Sequence, residues 1–232
     1  MERFSRSALL IGERALQKLK KSRVAVFGVG GVGGYTVEAL ARSGVGSLDL
    51  IDADRVSISN INRQILALSS TVGRYKTEVA KERVKDINPD CIVTVYNCFY
   101  GKENTEIDFS SYDYVVDAVD TVSAKLVIIE RAKAAVVPVI SAMGAGNKLD
   151  ATAFKVADIA QTNICPLARV MRKELKKRGI EGVKTVYSEE EPKESGLFNE
   201  ESGKPVPASI SFVPSVVGLI VAGEVIKDLI KE

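Results

Sequence analysis

The sequence predicts an α/β fold built on a doubly wound, mainly parallel sheet with a C-terminal α+β extension. Three observations predict it. Short β-branched runs alternate with longer amphipathic stretches between residues 24 and 142, as strands alternate with crossover helices. The first run, "VAVF" at 24–27, passes directly into "GVGGVGG" and then into an apolar-periodic segment. That is a strand–turn–helix with glycines where the backbone must turn tightly. After about residue 150 the regular alternation stops.

Taken in order, residues 8–20 predict a helix, with Ala8, Leu9, Ala15, Leu16 and Leu19 as its apolar face. Strand 24–27 leads through the glycines into helix 32–43, and 48–51 is the second strand. Residues 74–87 form a charged amphipathic helix stopped by Asn88-Pro89. The β-branched 92–96 is the third strand, and 114–119 the fourth. Helix 124–135 and strand 139–142 follow, with Gly144 and Gly146 just beyond. The extension carries a strand at 153–156, a basic helix at 166–178 and a strand at 183–187. Residues 189–207, charged and holding Gly and Pro, read as a mobile loop too long for a simple connection. An apolar helix at 214–230 follows. The 232 residues suit a single domain, with 1–150 as a nucleotide-binding core and 151–232 as a substrate-side extension.

Composition narrows the function. The net charge of +2 sets up no global field that demands a nucleic-acid partner. Cys91, Cys98 and Cys165 form neither a CxxC pair nor a dense framework, which argues against structural zinc and secreted disulfides and fits a reducing cytoplasm. No basic-then-apolar leader is expected at the start. The most apolar stretch is broken by Pro214 and Glu224 and is expected to pack in the protein or at an interface, with no membrane partner. There is no histidine, which removes every mechanism built on a histidine base, triad or metal ligand.

Gly28, Gly30 and Gly33 fit GxGxxG in the required context. Such glycines let the backbone approach a phosphate, and the helix start behind them offers free N–H groups and a positive dipole end. Asp52 lies 19 residues past Gly33, at the end of the second strand, where a carboxylate accepts ribose hydroxyls. The pattern points to an adenine nucleotide without saying which. Downstream come "DADRVSISNINRQ" at 52–64, Lys76, and "DAVDT" at 117–121. A dehydrogenase has no need of cations there, whereas a triphosphate and its departing pyrophosphate do. Arg63 and Lys76 are therefore candidate phosphate ligands, although any isolated pair of this kind is more often a solvated surface charge. Asp120 is placed to hold a magnesium ion. Asp54 and Thr121 fall within the same two stretches and are included in the nucleotide site.

The combination of "GVGGVGG", "LIDAD", "SNINRQ", "VGRYKTEVAKERVKDINPD" and "DAVD" resembles the adenylating enzymes of the ubiquitin-activating superfamily, which have a Rossmann-like core. Order and spacing agree over residues 1 to about 150, and "RFSRSALLIG" resembles the family's opening. The resemblance implies that Gly30 and Gly31 line the nucleotide loop and that Asp52 holds the ribose. It implies that Asn60, Arg63 and Lys76 hold the phosphates of ATP, and that Asp120 holds Mg2+. It implies a homodimer in which Arg6 reaches the partner's nucleotide site. Arg6, Arg63, Lys76 and Asp120 are the candidate catalytic residues. A substrate carboxylate would attack the α-phosphate, giving an acyl-adenylate and pyrophosphate. No histidine base is needed, because the carboxylate is already an anion at neutral pH.

The sulfur-carrier-activating branch often carries two CxxC pairs and a sulfurtransferase domain, neither of which is seen here. "PLARVMRKELKKRGI" and "VKTVYSEE" instead resemble the tRNA threonylcarbamoyladenosine dehydratase branch. That resemblance implies adenylation of the threonyl carboxylate of a modified tRNA adenosine, then ring closure by the neighbouring nitrogen. On helix 166–178, Leu167, Val170, Met171 and Leu175 are expected to face inward. Arg169, Arg172, Lys173, Lys176 and Lys177 are the candidate tRNA-binding residues on the other side, although a basic helix end also complements its own dipole. Tyr187 is the nearest aromatic that could stack on a base. Cys165, before Pro166, is read as a small loop-end residue rather than an acyl acceptor, and Cys91 and Cys98 as packing residues. Three other readings stay open. One is an adenylyltransferase acting on the C-terminal glycine of a ubiquitin-like sulfur carrier. The others are a nucleotide-binding module without turnover and, last, a nicotinamide-dependent dehydrogenase. Docking of a sulfur-transfer protein is also left open.

Overall fold

Arg23–Phe27 (β1) is a central strand of a seven-stranded sheet in the computed structural model, which describes residues 2–104, 106–194, 196, 198 and 206–231. Before it lie Ser5–Ile11 (α1) and Glu13–Lys21 (α2). After it come Gly33–Arg42 (α3), Ser47–Ile51 (β2), Lys76–Ile87 (α4) and Ile92–Tyr96 (β3). Tyr114–Asp117 (β4), Val122–Ala134 (α5) and Val139–Ala142 (β5) complete the core. The rest is Phe154–Asp158 (β6), Pro166–Lys177 (α6), Lys184–Ser188 (β7) and Phe212–Ile230 (α7). The strand order is β3-β2-β1-β4-β5-β7-β6. All pairs are parallel except β6 with β7.

The order reverses between β1 and β4, and such a reversal opens a crevice at the carboxyl ends of the strands. The register sets what lines it. Phe27 lies opposite both Ile51 and Asp117, so the three chains leave the sheet level with one another. Gly28, Asp52 and Ala118 thus become neighbours.

Alternation within the strands builds the two layers. Val24 and Val26 face a core shared with Val37 and Leu40 of α3, Val84 of α4 and Val217 and Val221 of α7. Ala25 and Phe27 face the other core, with Ile128 and Ile129 of α5 and Ala168, Met171 and Leu175 of α6. α7 is nearly all apolar because it packs on both α3 and the sheet. Among the described residues, no helix is long and apolar enough to cross a membrane.

The structure corrects several expectations. The helix expected at 8–20 is two helices, broken at Gly12, whose φ of +83° ends a helical run. Leu16 and Leu19 are buried, but Leu9 is 83% exposed, because the break turns α1 away from the core. β4 stops at Asp117, where its carboxylate accepts from Val119 N and bends the chain out of the sheet. On α6 the inward stripe runs through Ala168, Met171 and Leu175, while Val170 is exposed. Tyr187 is buried with its hydroxyl on Glu189, so its ring offers no stacking surface. Of the loop expected at 189–207, residues 195, 197 and 199–205 lie outside the described residues.

Candidate nucleotide site

A cleft of about 640 Å³ opens at the carboxyl ends of β1, β2, β4 and β5. It brings together Gly28, Gly30, Gly31, Asp52, Asp54, Asn60, Arg63, Lys76, Asp120 and Thr121. The glycines have separate reasons to be there. Gly28 has a φ of +83°, and a Cβ on it would lie 2.7 Å from the Ala118 carbonyl oxygen. Gly33 does not line the cleft. It starts α3 beneath the loop, where a Cβ would lie 1.8 Å from Gly28 O. Gly30 has open space before it, with the nearest atom, Gln64 Nε2, at 3.7 Å. Gly28 and Gly33 therefore shape the loop, and Gly30 leaves room for a ligand. No side chain caps α3, but Gly34 N is taken by Gly30 O at 2.9 Å, so an anion would be held by the loop amides ahead of it.

Asp52 is lashed to this loop. Its Oδ2 accepts from Val29 N at 2.7 Å and its Oδ1 from Asp54 N at 2.8 Å. Each oxygen keeps a lone pair for a ribose hydroxyl. Lys76, at the start of α4, is buried and donates to Asp54 Oδ2 at 2.7 Å. Arg63 is held by Ser59 O at 2.9 Å and Asn62 Oδ1 at 3.1 Å through one nitrogen, Nη1, leaving the rest of the guanidinium for phosphate oxygens. The buried Asn60 uses its Oδ1 to accept from Ser57 N, so only its amide nitrogen is left to donate.

Asp120 is exposed at the cleft, with Thr121 Oγ1 donating to its Oδ1 at 3.2 Å. Among the described residues no cluster of three metal-ligating side chains occurs. Asp120, one of three aspartates that line the cleft, could serve Mg2+ as a single protein ligand, because that ion keeps water and phosphate oxygens in its shell. Arg6 sits exposed on α1 and does not line this chain's cleft.

Other cleft residues carried no recognised sequence signal. Gln64 is 6% exposed, and its Oε1 is buried without a hydrogen-bond partner. Cys98, expected as packing, lines the cleft beside the exposed Phe99; burial pushes its thiol up. Cys91 is a core residue, with burial raising its thiol to about 11. Cys165 is buried where α6 begins.

The candidate RNA face is uneven. Arg169, Lys173 and Lys176 are exposed. Arg172 is turned inward, its Nη1 donating to Thr162 O at 2.6 Å and Thr162 Oγ1 at 2.8 Å. Lys177 pairs with Glu174, which hydrogen bonds from Lys177 and Arg178 hold at about 2.

Comparison with known proteins gives concordant results. The ThiF family model matches residues 4–232. The tRNA threonylcarbamoyladenosine dehydratase of Bacillus subtilis (strain 168) is 46% identical over 246 residues, covering 100% of this chain and 96% of that protein. The crystal structure of Escherichia coli tRNA N6-threonylcarbamoyladenosine dehydratase in complex with ATP is 36% identical, with a TM-score of 0.89 over 98% of this chain and 93% of that one. Its complex with AMP gives a TM-score of 0.88 over 98% and 94%.

Proposed function

We propose, from the premise that this chain belongs to the ThiF family, that it is an ATP-dependent tRNA threonylcarbamoyladenosine dehydratase. The observation that carries this reading is the near full-length likeness to such dehydratases, one of them solved with ATP and with AMP. The cleft supplies what the chemistry needs and little else.

ATP lies with its ribose on Asp52 and its phosphates over Gly30 and Gly31, within reach of Asn60, Arg63 and Lys76. Asp120 would hold Mg2+, which would neutralise phosphate charge. The threonyl carboxylate of the modified adenosine attacks the α-phosphorus and pyrophosphate leaves. The neighbouring nitrogen then attacks the acyl carbon, loses its proton and expels AMP, so the nucleoside has lost one water. Arg63 and Lys76 stabilise the charge that develops on the leaving phosphates. The protein otherwise acts by holding carboxylate and phosphorus in line. Lys76 already has a carboxylate partner in Asp54, so binding ATP exchanges one anion for another and leaves no bare buried cation in the resting protein.

The working form in this reading is a cytoplasmic homodimer, with Arg6 completing the partner's site. Its support is the exposure of Arg6 on a helix that buries none of its own residues. Arg169, Lys173 and Lys176 face the tRNA backbone. A sulfur-transfer protein is a further candidate partner, with support only from the family resemblance. Nucleoside mass spectrometry tests the reading, using threonylcarbamoyl-modified tRNA, this protein and magnesium ATP, after gentle digestion. Loss of one water only with ATP is expected. An unchanged nucleoside with ATP bound would sink the reading and favour a carrier-protein substrate.

A further inference from the structure

Beyond β5 the chain runs through Gly144, Ala145 and Gly146, which line the cleft, to Asn147. Asn147 has a φ of +62°, a left-handed conformation that asparagine tolerates better than most residues. It commits three backbone and side-chain groups to two distant segments. Its N–H donates to Ala208 O at 2.7 Å, and its Oδ1 accepts from Ala208 N at 2.6 Å. Its carbonyl accepts from Lys193 N at 2.8 Å. The residues just after it reinforce the first foot. Lys148 Nζ donates to Glu190 O at 2.5 Å, and the Glu190 carboxylate accepts from Leu149 N and Asp150 N. Both described ends of the connection between Lys193 and Ala208 are thus fastened at one point.

That point matters because Pro207, Ala208 and Ser209 form part of the cleft wall. The wall is fastened on its other side as well, by Asn62 Nδ2 donating to Ser209 O at 3.0 Å, one residue from Arg63. It packs closely on the β5 turn, since a Cβ on Gly146 would lie 3.2 Å from Pro207 Cβ. Along the sheet, Asp52 follows β2, the glycine loop follows β1 and Asp120 follows β4. In the dehydratase reading these ends hold the nucleotide. In that reading the end of β5, with the 207–209 wall, is the part of the cleft lining open to the molecule that brings the carboxylate.

We infer that Asn147 is a positioning residue that sets the acceptor-side wall of the cleft by holding Ala208 and Lys193 together. The inference rests on the dehydratase reading for the identity of the acceptor, and not for the clasp itself. Asn147 acts on the tRNA half of the reaction and not on ATP. An unpinned Ala208 lets the wall drift from the line of attack, and small displacements of that kind are costly in rate.

The test uses three proteins: the full chain, Asn147→Gly and Asn147→Asp. Glycine accepts the left-handed backbone but lacks the Oδ1 acceptor, and aspartate restores an acceptor. Removing one such bond is worth roughly a factor of five to ten. Asn147→Gly is expected to lose about that much in kcat/KM for modified tRNA, with the ATP dissociation constant within about twofold of the parent. Hydrogen exchange at the Ala208 amide should speed by about tenfold, and Asn147→Asp should recover most of both. An equal loss of ATP affinity would overturn the inference, as would unchanged exchange at Ala208. If the parent protein dehydrates no nucleoside, the functional reading falls, and exchange with ATP affinity still decides the clasp.

Discussion

Lys125 Nζ lies 3.0 Å from Asp117 Oδ2, and both side chains are completely buried. Asp117 ends β4 and Lys125 sits in the opening turns of α5, so the pair spans the turn that carries Asp120 and Thr121. Ser141 Oγ also donates to Asp117 Oδ2, at 2.5 Å, and Lys125 donates to the carbonyl of Ala142 at 2.7 Å. One charge pair therefore fixes the ends of two strands and the start of a helix beneath the metal candidate. Lys125→Met would strand a buried carboxylate, at a cost of about 3–5 kcal/mol. Urea denaturation should show that loss. The double variant Lys125→Met/Asp117→Asn should recover much of it, and no recovery would mean that packing, and not charge, sets the effect.

The glycines separate by what a methyl group would meet. Gly33→Ala should fail to fold, or lose more than about 3 kcal/mol, because its Cβ would overlap Gly28 O. Gly30→Ala should fold with little loss and bind ATP at least about tenfold more weakly, since the new methyl occupies the phosphate approach. Thermal melts with and without ATP distinguish the two, and equal melts for both variants would refute the division.

Arg63→Ala and Lys76→Ala should each lower pyrophosphate release by about 10²- to 10³-fold, the usual cost of one charge-stabilising donor. Asp120→Ala should flatten the magnesium dependence of the same assay. Circular dichroism of the Arg63 variant should match the parent, because among the described residues that side chain hydrogen-bonds within its own turn. Near-parent turnover in either cation variant would remove it from the phosphate site.

On α6, reversing Lys173 and Lys176 to glutamate should weaken tRNA binding and flatten its salt dependence by roughly 0.7 to 0.9 in slope per lost phosphate contact. ATP binding should not change. Arg172→Ala should behave differently. It should lower the melting temperature more than it lowers tRNA affinity, because the side chain is half-buried and its Nη1 is tied to Thr162. Filter binding over a salt series gives the first readout, and a steep unchanged slope would place the RNA surface elsewhere.

Acid should loosen α7 from β7. Burial pushes the Asp228 carboxyl up, but hydrogen bonds from Lys184, Lys231 and Tyr114 outweigh it and hold the group at about 2. A depressed carboxylate contributes stability above its unfolded value near 4, and that contribution is lost as pH falls toward 2. The contribution is about 1 kcal/mol once solvent screening is allowed for. Asp228→Asn should remove it at pH 7 and make the melting temperature less sensitive to acid. An unaltered acid limb would show the pair to be inert.

The sequence made the sheet legible because its strands are short, β-branched and bounded by turn residues, and most predicted boundaries agree within a residue or two. The cleft was legible because its polar groups sit on recognisable words beyond strand ends. Pairings across the chain were not. Nothing local to Gly12 announces that α1 turns away, and nothing near Arg172 announces Thr162. Asn60 reads as a ligand from the sequence, and only the fold shows that its Oδ1 also caps the turn at Ser57. Asn147 follows a glycine pair like any turn residue, and only the return of the chain at Ala208 gives it a purpose. Gln64 stands in the same word as Arg63, but its unpartnered buried oxygen has no sequence signature.

α7 backs the nucleotide loop directly. A Cβ on Gly218 would lie 2.3 Å from Val32 O, Pro214 packs against Gly31, and Thr36 Oγ1 donates to Gly218 O at 3.1 Å, across 182 residues. During synthesis the loop emerges early and waits for its support until residues 212–230 have cleared the ribosome. A nascent chain stopped short of α7 presents an apolar α3 face and an unbraced loop to chaperones and proteases. A chain truncated before α7 is therefore expected to lack the brace behind its glycine loop, and to expose apolar surface that the finished fold hides.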